Sequence, residues 1–217
     1  MRANTNMEPI PQDILNETIY RLDGPLRWVL NENRDLVCRA EVQEGSKVLD
    51  LGAGTGYLSL MLAEVVGASG LVYCLDRSSQ LLELIQKKAK KKGLRNIQLV
   101  NTNAHSLDFP DNHFDAVLSS YLFHELADLA PQTVKECYRV LKPLRKFVIA
   151  DFRRIEDKER LQEIEKWYAA QRDGAGEGEQ HLRFSLQDLE RMFVEAGFRS
   201  IEISTWLDFH MHGIAIK

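Results

Sequence analysis

Apolar positions along the chain keep two different periods. Short runs rich in Val, Leu and Ile fall at 47–51, 71–75, 97–101, 114–119 and 146–151, too short for helices and right for strands buried on both faces. Between them, 57–66, 79–92 and 131–141 carry apolar residues every three or four positions, the spacing of a helix with one buried side. Ser78 or Ser79 is placed to cap the second of these helices, and Gly93 to end it. Crossovers of this length join parallel strands and lay helices on both faces of a sheet.

The rhythm changes after Asp151. Residues 155–172 are charged and helical in pattern, with Leu161, Ile164 and Tyr168 sharing a side, and Asp-Gly-Ala-Gly-Glu-Gly-Glu (173–179) is the loosest stretch. Ser185 opens another helix, 186–196, with Asp188 at the capping-box position and Gly197 at its end. Two last strands, 199–206 and 209–216, are so close that they pair as a hairpin. The expected fold class is therefore α/β, a seven-stranded mostly parallel sheet with an antiparallel last strand and helices on both faces. Residues 1–46 add one or two amphipathic helices through Leu26, Val29, Leu30, Leu36 and Val37. The expected organisation is one domain over 1–217, with 1–46 as a helical cap and 153–184 as an inserted lid.

Composition narrows the chemistry only at its edges. The 217 residues are 44% hydrophobic and 28% charged, with a formal charge of −4, which argues against nucleic-acid partners. No apolar run spans a membrane and the first residues lack the apolar core of a signal peptide, so a cytoplasmic protein without a membrane span is expected. Cys38, Cys74 and Cys137 are distant and odd in number, which gives neither a disulfide framework nor a zinc site.

The chemistry is concentrated at the end of the first strand. Glycines at 52, 54 and 56 follow Val48, Leu49 and Leu51 and lead straight into a helix, a place where backbone closely approaches a ligand. A dinucleotide loop needs its third glycine three residues after the second, and here the spacing is two; Asp50 would also repel a pyrophosphate. A cationic ligand with a sugar and an amino-acid tail suits the loop better. Asp76, at the tip of the next strand, is placed to accept both hydroxyls of a ribose. A glycine turn or a strand-end acid is individually weak evidence, since either is often plain structure; together on adjacent strands they are specific.

Asp50-x-Gly52-x-Gly54-x-Gly56 resembles the first motif of the class I S-adenosylmethionine-dependent methyltransferases, and Asp76 matches that family's ribose-binding acid. Asn103-Ala104-His105 with 107–110 is similar to the segment bordering the adenine, 114–120 to the fourth-strand motif, and 138–143 with 147–151 to the helix and fifth strand that follow. The resemblance runs from about 45 to 217 and is nearest the quinone-biosynthesis and small-molecule branch. It implies a Rossmann-like fold, S-adenosylmethionine as cofactor, and cofactor contacts from Asp50, Gly52, Ala53, Gly54, Gly56, Asp76, Arg77, Asn103, Ala104, His105, Ser119 and Ser120. Two positions depart from the family pattern. Asn103 stands where an Asp is frequent, and Leu144-Arg145 stand where two glycines are usual.

The acceptor half is less explicit. In the family the segment 120–126 walls the methyl site, so His124 is a candidate base, with an ordinary pKa near ~6.5 suited to the task, and Tyr121 a candidate hydrogen-bonding partner. Asp208, His210 and His212 alternate on one strand face, and His210 is a third catalytic candidate. These side chains read as the wall of a polar groove, and no metal is expected. Arg153 and Arg154 either receive an anionic group of the acceptor or pair with Glu156 and Asp157. Tyr20, Trp28, Trp167, Tyr168 and Phe184 supply an aromatic pocket or ordinary helix packing. The Lys87–Lys92 run reads as a solvated helix end.

The function expected is methyl transfer from S-adenosylmethionine to a small-molecule acceptor by a monomer or homodimer. Three alternatives stay open: a cofactor-binding regulator without catalysis, a protein methyltransferase, and a nicotinamide-dependent oxidoreductase, the last opposed by the glycine spacing. An arsenite acceptor is disfavoured because Cys74 lies inside a strand.

Overall fold

The computed structural model describes residues 9–23, 32–171, 184–206 and 210–217. Leu26, Trp28, Val29, Leu30, the glycine-rich stretch 173–179 and Asp208 lie outside the described residues, as do the side chains of Tyr20, Ile164, Trp167 and Tyr168.

In chain order the elements are α1 (Gln12–Asp23), α2 (Glu32–Arg39), β1 (Lys47–Leu51), α3 (Tyr57–Val66), β2 (Leu71–Asp76), α4 (Ser79–Lys92), β3 (Ile97–Asn101) and β4 (Phe114–Ser120). There follow α5 (Phe123–Leu126), a 3-10 turn (Ala127–Leu129), α6 (Ala130–Val140), β5 (Leu141–Phe152), α7 (Lys158–Gln171), α8 (Leu186–Ala196), β6 (Arg199–Trp206) and β7 (His210–Ile216). The strands form one seven-stranded sheet in the order β3-β2-β1-β4-β5-β7-β6. Pairs among β1–β5 are parallel, and β7 runs antiparallel to both β5 and β6. This is the fold class expected from the residue pattern.

β1, β2 and the later part of β5 are buried along most of their length because both faces are covered there. Leu49, Leu51, Val117 and Phe147 point to the side closed by Val134 and Cys137 of α6 and by Leu189 and Phe193 of α8. Val48, Cys74, Leu118 and Val148 point to the other side, against Leu36 of α2, Leu62 of α3 and Ile85 of α4. Ser78 caps α4, its hydroxyl accepting from Leu81 N–H, and Gly93 ends the helix at φ 72°. Ser185 and Asp188 complete a reciprocal capping box on α8.

β5 begins at Leu141, five residues before the expected start, and its pairing with β4 slips between Phe114 and Ala116. Of the added residues Leu141 is buried, while Pro143, Leu144 and Arg145 turn outward. Leu144 stands at φ 61° with 83% of its surface exposed, its N–H donating to the Lys217 carbonyl. A leucine in left-handed backbone costs about 1–2 kcal/mol, and this one buries almost nothing in return. Leu144→Gly is therefore expected to stabilise the protein by about 0.5–1 kcal/mol, after the extra unfolded-state entropy of glycine is deducted. The check is the urea unfolding midpoint, which should rise at unchanged slope.

Candidate active site

β1 lies between β2 and β4, so the chain crosses over to opposite sides of it, and a crevice opens at the carboxyl ends of these strands. One wall is the loop Gly52–Gly56. Gly52, Gly54 and Gly56 all have positive φ (76°, 53° and 81°). Gly52 and Ala53 donate their N–H groups to the Leu75 carbonyl at 2.9 and 2.8 Å, which ties the loop to the end of β2. Space matters as much as conformation. A Cβ at Gly56 would lie 2.7 Å from Ile85, and one at Gly52 would lie 3.0 Å from Leu122, whose side chain folds down from the loop after β4.

The carboxylates divide the work. Asp50 is buried within β1 and accepts from the Ser59 hydroxyl on α3. Asp76 accepts Gly54 N–H on Oδ2 at 2.8 Å and Ser78 N–H on Oδ1 at 2.8 Å. Burial raises the Asp76 pKa above the ordinary carboxylate value, against the pull of those two amides. A carboxylate offers about four lone-pair directions, so two hydroxyl donors fit beside the two amides. Such a pair of donors is what the vicinal hydroxyls of a ribose offer. Arg77 turns outward and makes an exposed 3.8 Å pair with Glu125. Asn101 holds this corner by donating to the carbonyls of Asp76 and Arg77.

Asn103, Ala104 and His105 follow β3, with Ala104 buried and the His105 carbonyl accepting from Gln132 at 3.0 Å. The stretch beyond them is shaped by Arg139 of α6. Its guanidinium donates to the carbonyls of Leu107 and Phe109 and to Asp111 and Glu136, while Glu136 accepts Leu107 N–H. The hydrogen bonds from Arg139 hold the Glu136 carboxyl below its ordinary pKa. On β4, the Ser119 hydroxyl is buried and donates to the Leu51 carbonyl at 3.1 Å, and Ser120 is buried beside it.

The second wall brings together the three catalytic candidates. Tyr121 sits in left-handed backbone at φ 57°, its N–H donating to the Ala150 carbonyl. Strained non-glycine residues of this kind concentrate at functional sites. Its ring lies 4.8 Å from Phe152 and 5.5 Å from His210, and the His124 ring lies 5.1 Å from Phe152. His210 arrives because it is the register partner of Phe152 at the start of β7. His212, two residues on, instead approaches Asp35 of α2 at 3.7 Å.

Asp151 organises this wall. Fully buried, it accepts His124 Nδ1–H at 2.8 Å, Phe123 N–H at 2.6 Å, His124 N–H at 3.3 Å and Phe152 N–H at 2.7 Å. The same carboxylate thus starts α5 and fixes the imidazole. A hydrogen on Nδ1 leaves Nε2 as the acceptor nitrogen of the ring. In the sequence Asp151 was visible only as a polar residue at a strand end, without a role. The signal available was that the adjacent strand ends in a segment bearing a histidine.

Other candidates serve the frame. Arg154 pairs with Asp188 at 3.3 Å and Glu156 at 3.9 Å. Lys88 departs from the solvated helix end expected of the run and pairs with Asp23, while Lys92 stays exposed and pairs at the surface with Glu64. Burial pushes the Cys74 and Cys137 thiols far up, which removes them as nucleophiles. No group of three or more His, Cys, Asp or Glu suited to a metal occurs among the described residues, and no helix there is long and apolar enough to cross a membrane.

Comparison with known proteins agrees with this geometry. Residues 48–144 match the family described as a methyltransferase domain. The demethylmenaquinone methyltransferase of Geobacillus stearothermophilus is 40% identical over 118 residues, covering 54% of this chain and 48% of that protein. The ubiquinone/menaquinone biosynthesis C-methyltransferase of Francisella philomiragia is 36% identical over 141 residues, covering 64% of this chain and 52% of that protein. The chain spans about half the length of the curated relatives it matches. Among solved structures, a SAM-dependent methyltransferase from Aquifex aeolicus superposes with a TM-score of 0.73 at 25% identity, covering 92% of this chain and 97% of that one. With the glycine loop, the strand-end acid and the sheet order all in agreement, residues 48–144 form a methyltransferase domain similar to that of these S-adenosylmethionine-dependent enzymes.

Proposed function

We propose that the protein transfers a methyl group from S-adenosylmethionine to a quinol-like small molecule, at a ring carbon. The observation that carries the proposal is the His124–Asp151 pair, set among the rings of Tyr121, Phe152 and His210 beyond the carboxyl ends of β4 and β5. The names of the relatives, which act on demethylmenaquinone or in ubiquinone and menaquinone biosynthesis, support the acceptor class. S-adenosylmethionine, when bound, supplies a methyl already activated on a positively charged sulfur.

The residues then have separable tasks. The Asp76 carboxylate holds the ribose and the closely approaching backbone of the Gly52–Gly56 loop lies against the tail, with Asn103 and Ala104 against the adenine. Tyr121, Phe152 and His210 offer ring faces to a flat aromatic acceptor and keep water out. His124 Nε2 takes the proton of the acceptor hydroxyl as carbon attacks, and Asp151 holds Nδ1–H and steadies the charge that forms. Holding the acceptor in line behind the methyl supplies much of the rate, and proton removal adds about 10²–10⁴-fold. Within a single domain, the described parts of 1–46 and 153–184 serve the acceptor side as cap and lid.

The test is incubation with methyl-labelled S-adenosylmethionine and a short-chain demethylated naphthoquinol, a benzoquinol or a cell extract, with mass spectrometry of the products. Label on a quinol ring carbon is expected. Label only in the protein fraction would point to a protein methyltransferase. Binding of S-adenosylhomocysteine without any transfer would point to a regulator.

A further inference from the structure

The glycine loop is also held by residues that no motif includes. Within Gly-Ala-Gly-Thr-Gly (52–56), Thr55 alone has a side chain able to hydrogen-bond, and it is 2% exposed. Its hydroxyl donates to Asp23 Oδ1 at 2.6 Å. Lys88 of α4 donates to Asp23 Oδ2 at 2.6 Å and to the Thr55 carbonyl at 2.9 Å. Both the side chain and the carbonyl of Thr55 are thereby gripped by one ion pair.

The grip fixes the loop for a simple reason. The Thr55–Gly56 peptide is planar, so pinning its oxygen also sets the direction of the Gly56 N–H. That N–H donates to the Ala53 carbonyl at 2.8 Å, closing the turn between two left-handed glycines. Glycine backbone has the most freedom to lose, so an outside clamp has most effect here. The pair is neutral and adds no net charge beside Asp76. Nor does α1 explain Asp23, because a carboxylate at the C-terminal end of a helix faces the negative end of its dipole. The placement makes sense through Thr55 and Lys88. The start of α1 is tied to the same helix, with Ile10 and Gln80 exchanging hydrogen bonds of 2.7 and 2.9 Å.

We infer that Asp23 and Lys88 are positioning residues for the cofactor loop, so that docking of α1 and binding of S-adenosylmethionine reinforce each other. The inference rests on the cofactor reading above. Coupling of this kind is reciprocal: what strengthens the loop strengthens the docking of α1.

The test compares wild type with Asp23→Asn, Thr55→Val and Lys88→Gln, measuring S-adenosylhomocysteine affinity by calorimetry and cleavage within 9–23 by limited proteolysis, with and without ligand. Each single variant is expected to bind about tenfold more weakly, as loss of one charge-assisted hydrogen bond implies. Asp23→Asn combined with Thr55→Val should be no worse than the poorer single. Ligand should protect α1 in wild type and fail to do so in Asp23→Asn. Unchanged affinity in Asp23→Asn and Lys88→Gln, or ligand protection that survives in them, would overturn the inference while leaving the cofactor assignment standing. A wild type that binds no S-adenosylhomocysteine would remove both.

Discussion

Asp76→Ala is expected to weaken S-adenosylhomocysteine binding about a hundredfold, the largest effect on affinity anticipated for any single residue of the loop region. Two ribose hydroxyls donating to a half-buried carboxylate contribute about 1.5 kcal/mol each at the low end for charged acceptors, and about 3 kcal/mol corresponds to two orders of magnitude. The alanine also leaves Gly54 N–H and Ser78 N–H without their acceptor, so the thermal midpoint should fall together with affinity. The pH dependence separates these causes. Burial raises the Asp76 pKa, and hydroxyl donors bond the ionised form better. Wild-type affinity should therefore fall as pH is lowered through that raised value, and Asp76→Ala should lose this dependence. An alanine variant that binds with wild-type affinity would take Asp76 out of the ribose role.

The glycine-loop half of the candidate site was legible in the sequence as a strand–turn–helix unit because its signals are local. Gly52, Gly54, Gly56 and Asp76 lie beside strands that read as apolar runs, and such strands end where burial ends. The strand ranges 47–51 and 97–101 coincide with β1 and β3 for that reason. Interactions between distant residues stayed hidden. α5 is four residues long, shorter than any periodicity can reveal, and is started by a carboxylate 28 positions from Phe123. The early start of β5 depends on pairing with Phe114 and on the C-terminal Lys217, neither written into Leu141–Arg145. Lys88 was lost in a run of lysines because only the fold brings Asp23 to it.

Those hidden interactions set the acceptor half, where the largest effect on rate is expected. His124→Ala should lower kcat by about 10²–10⁴, the range for loss of a positioned base, while S-adenosylhomocysteine affinity changes less than threefold. That separation follows from the geometry, since His124 faces Phe152 and Asp151 and makes no hydrogen bond to the glycine loop among those described. Free imidazole should restore part of the lost turnover, because the alanine leaves the ring's volume empty beside Asp151. Asp151→Ala is a poorer probe. It strips an acceptor from Phe123 N–H, Phe152 N–H and the imidazole together, at about 1–3 kcal/mol for each buried donor left unpaired. Asp151→Asn keeps an acceptor oxygen and much of the fold, but puts an amide N–H₂ where a carboxylate oxygen had been. It should therefore retain cofactor affinity and lose turnover. Steady-state kinetics on the identified acceptor decides the point. A His124→Ala enzyme with kcat within threefold of wild type would show that the acceptor loses its proton to something other than this histidine.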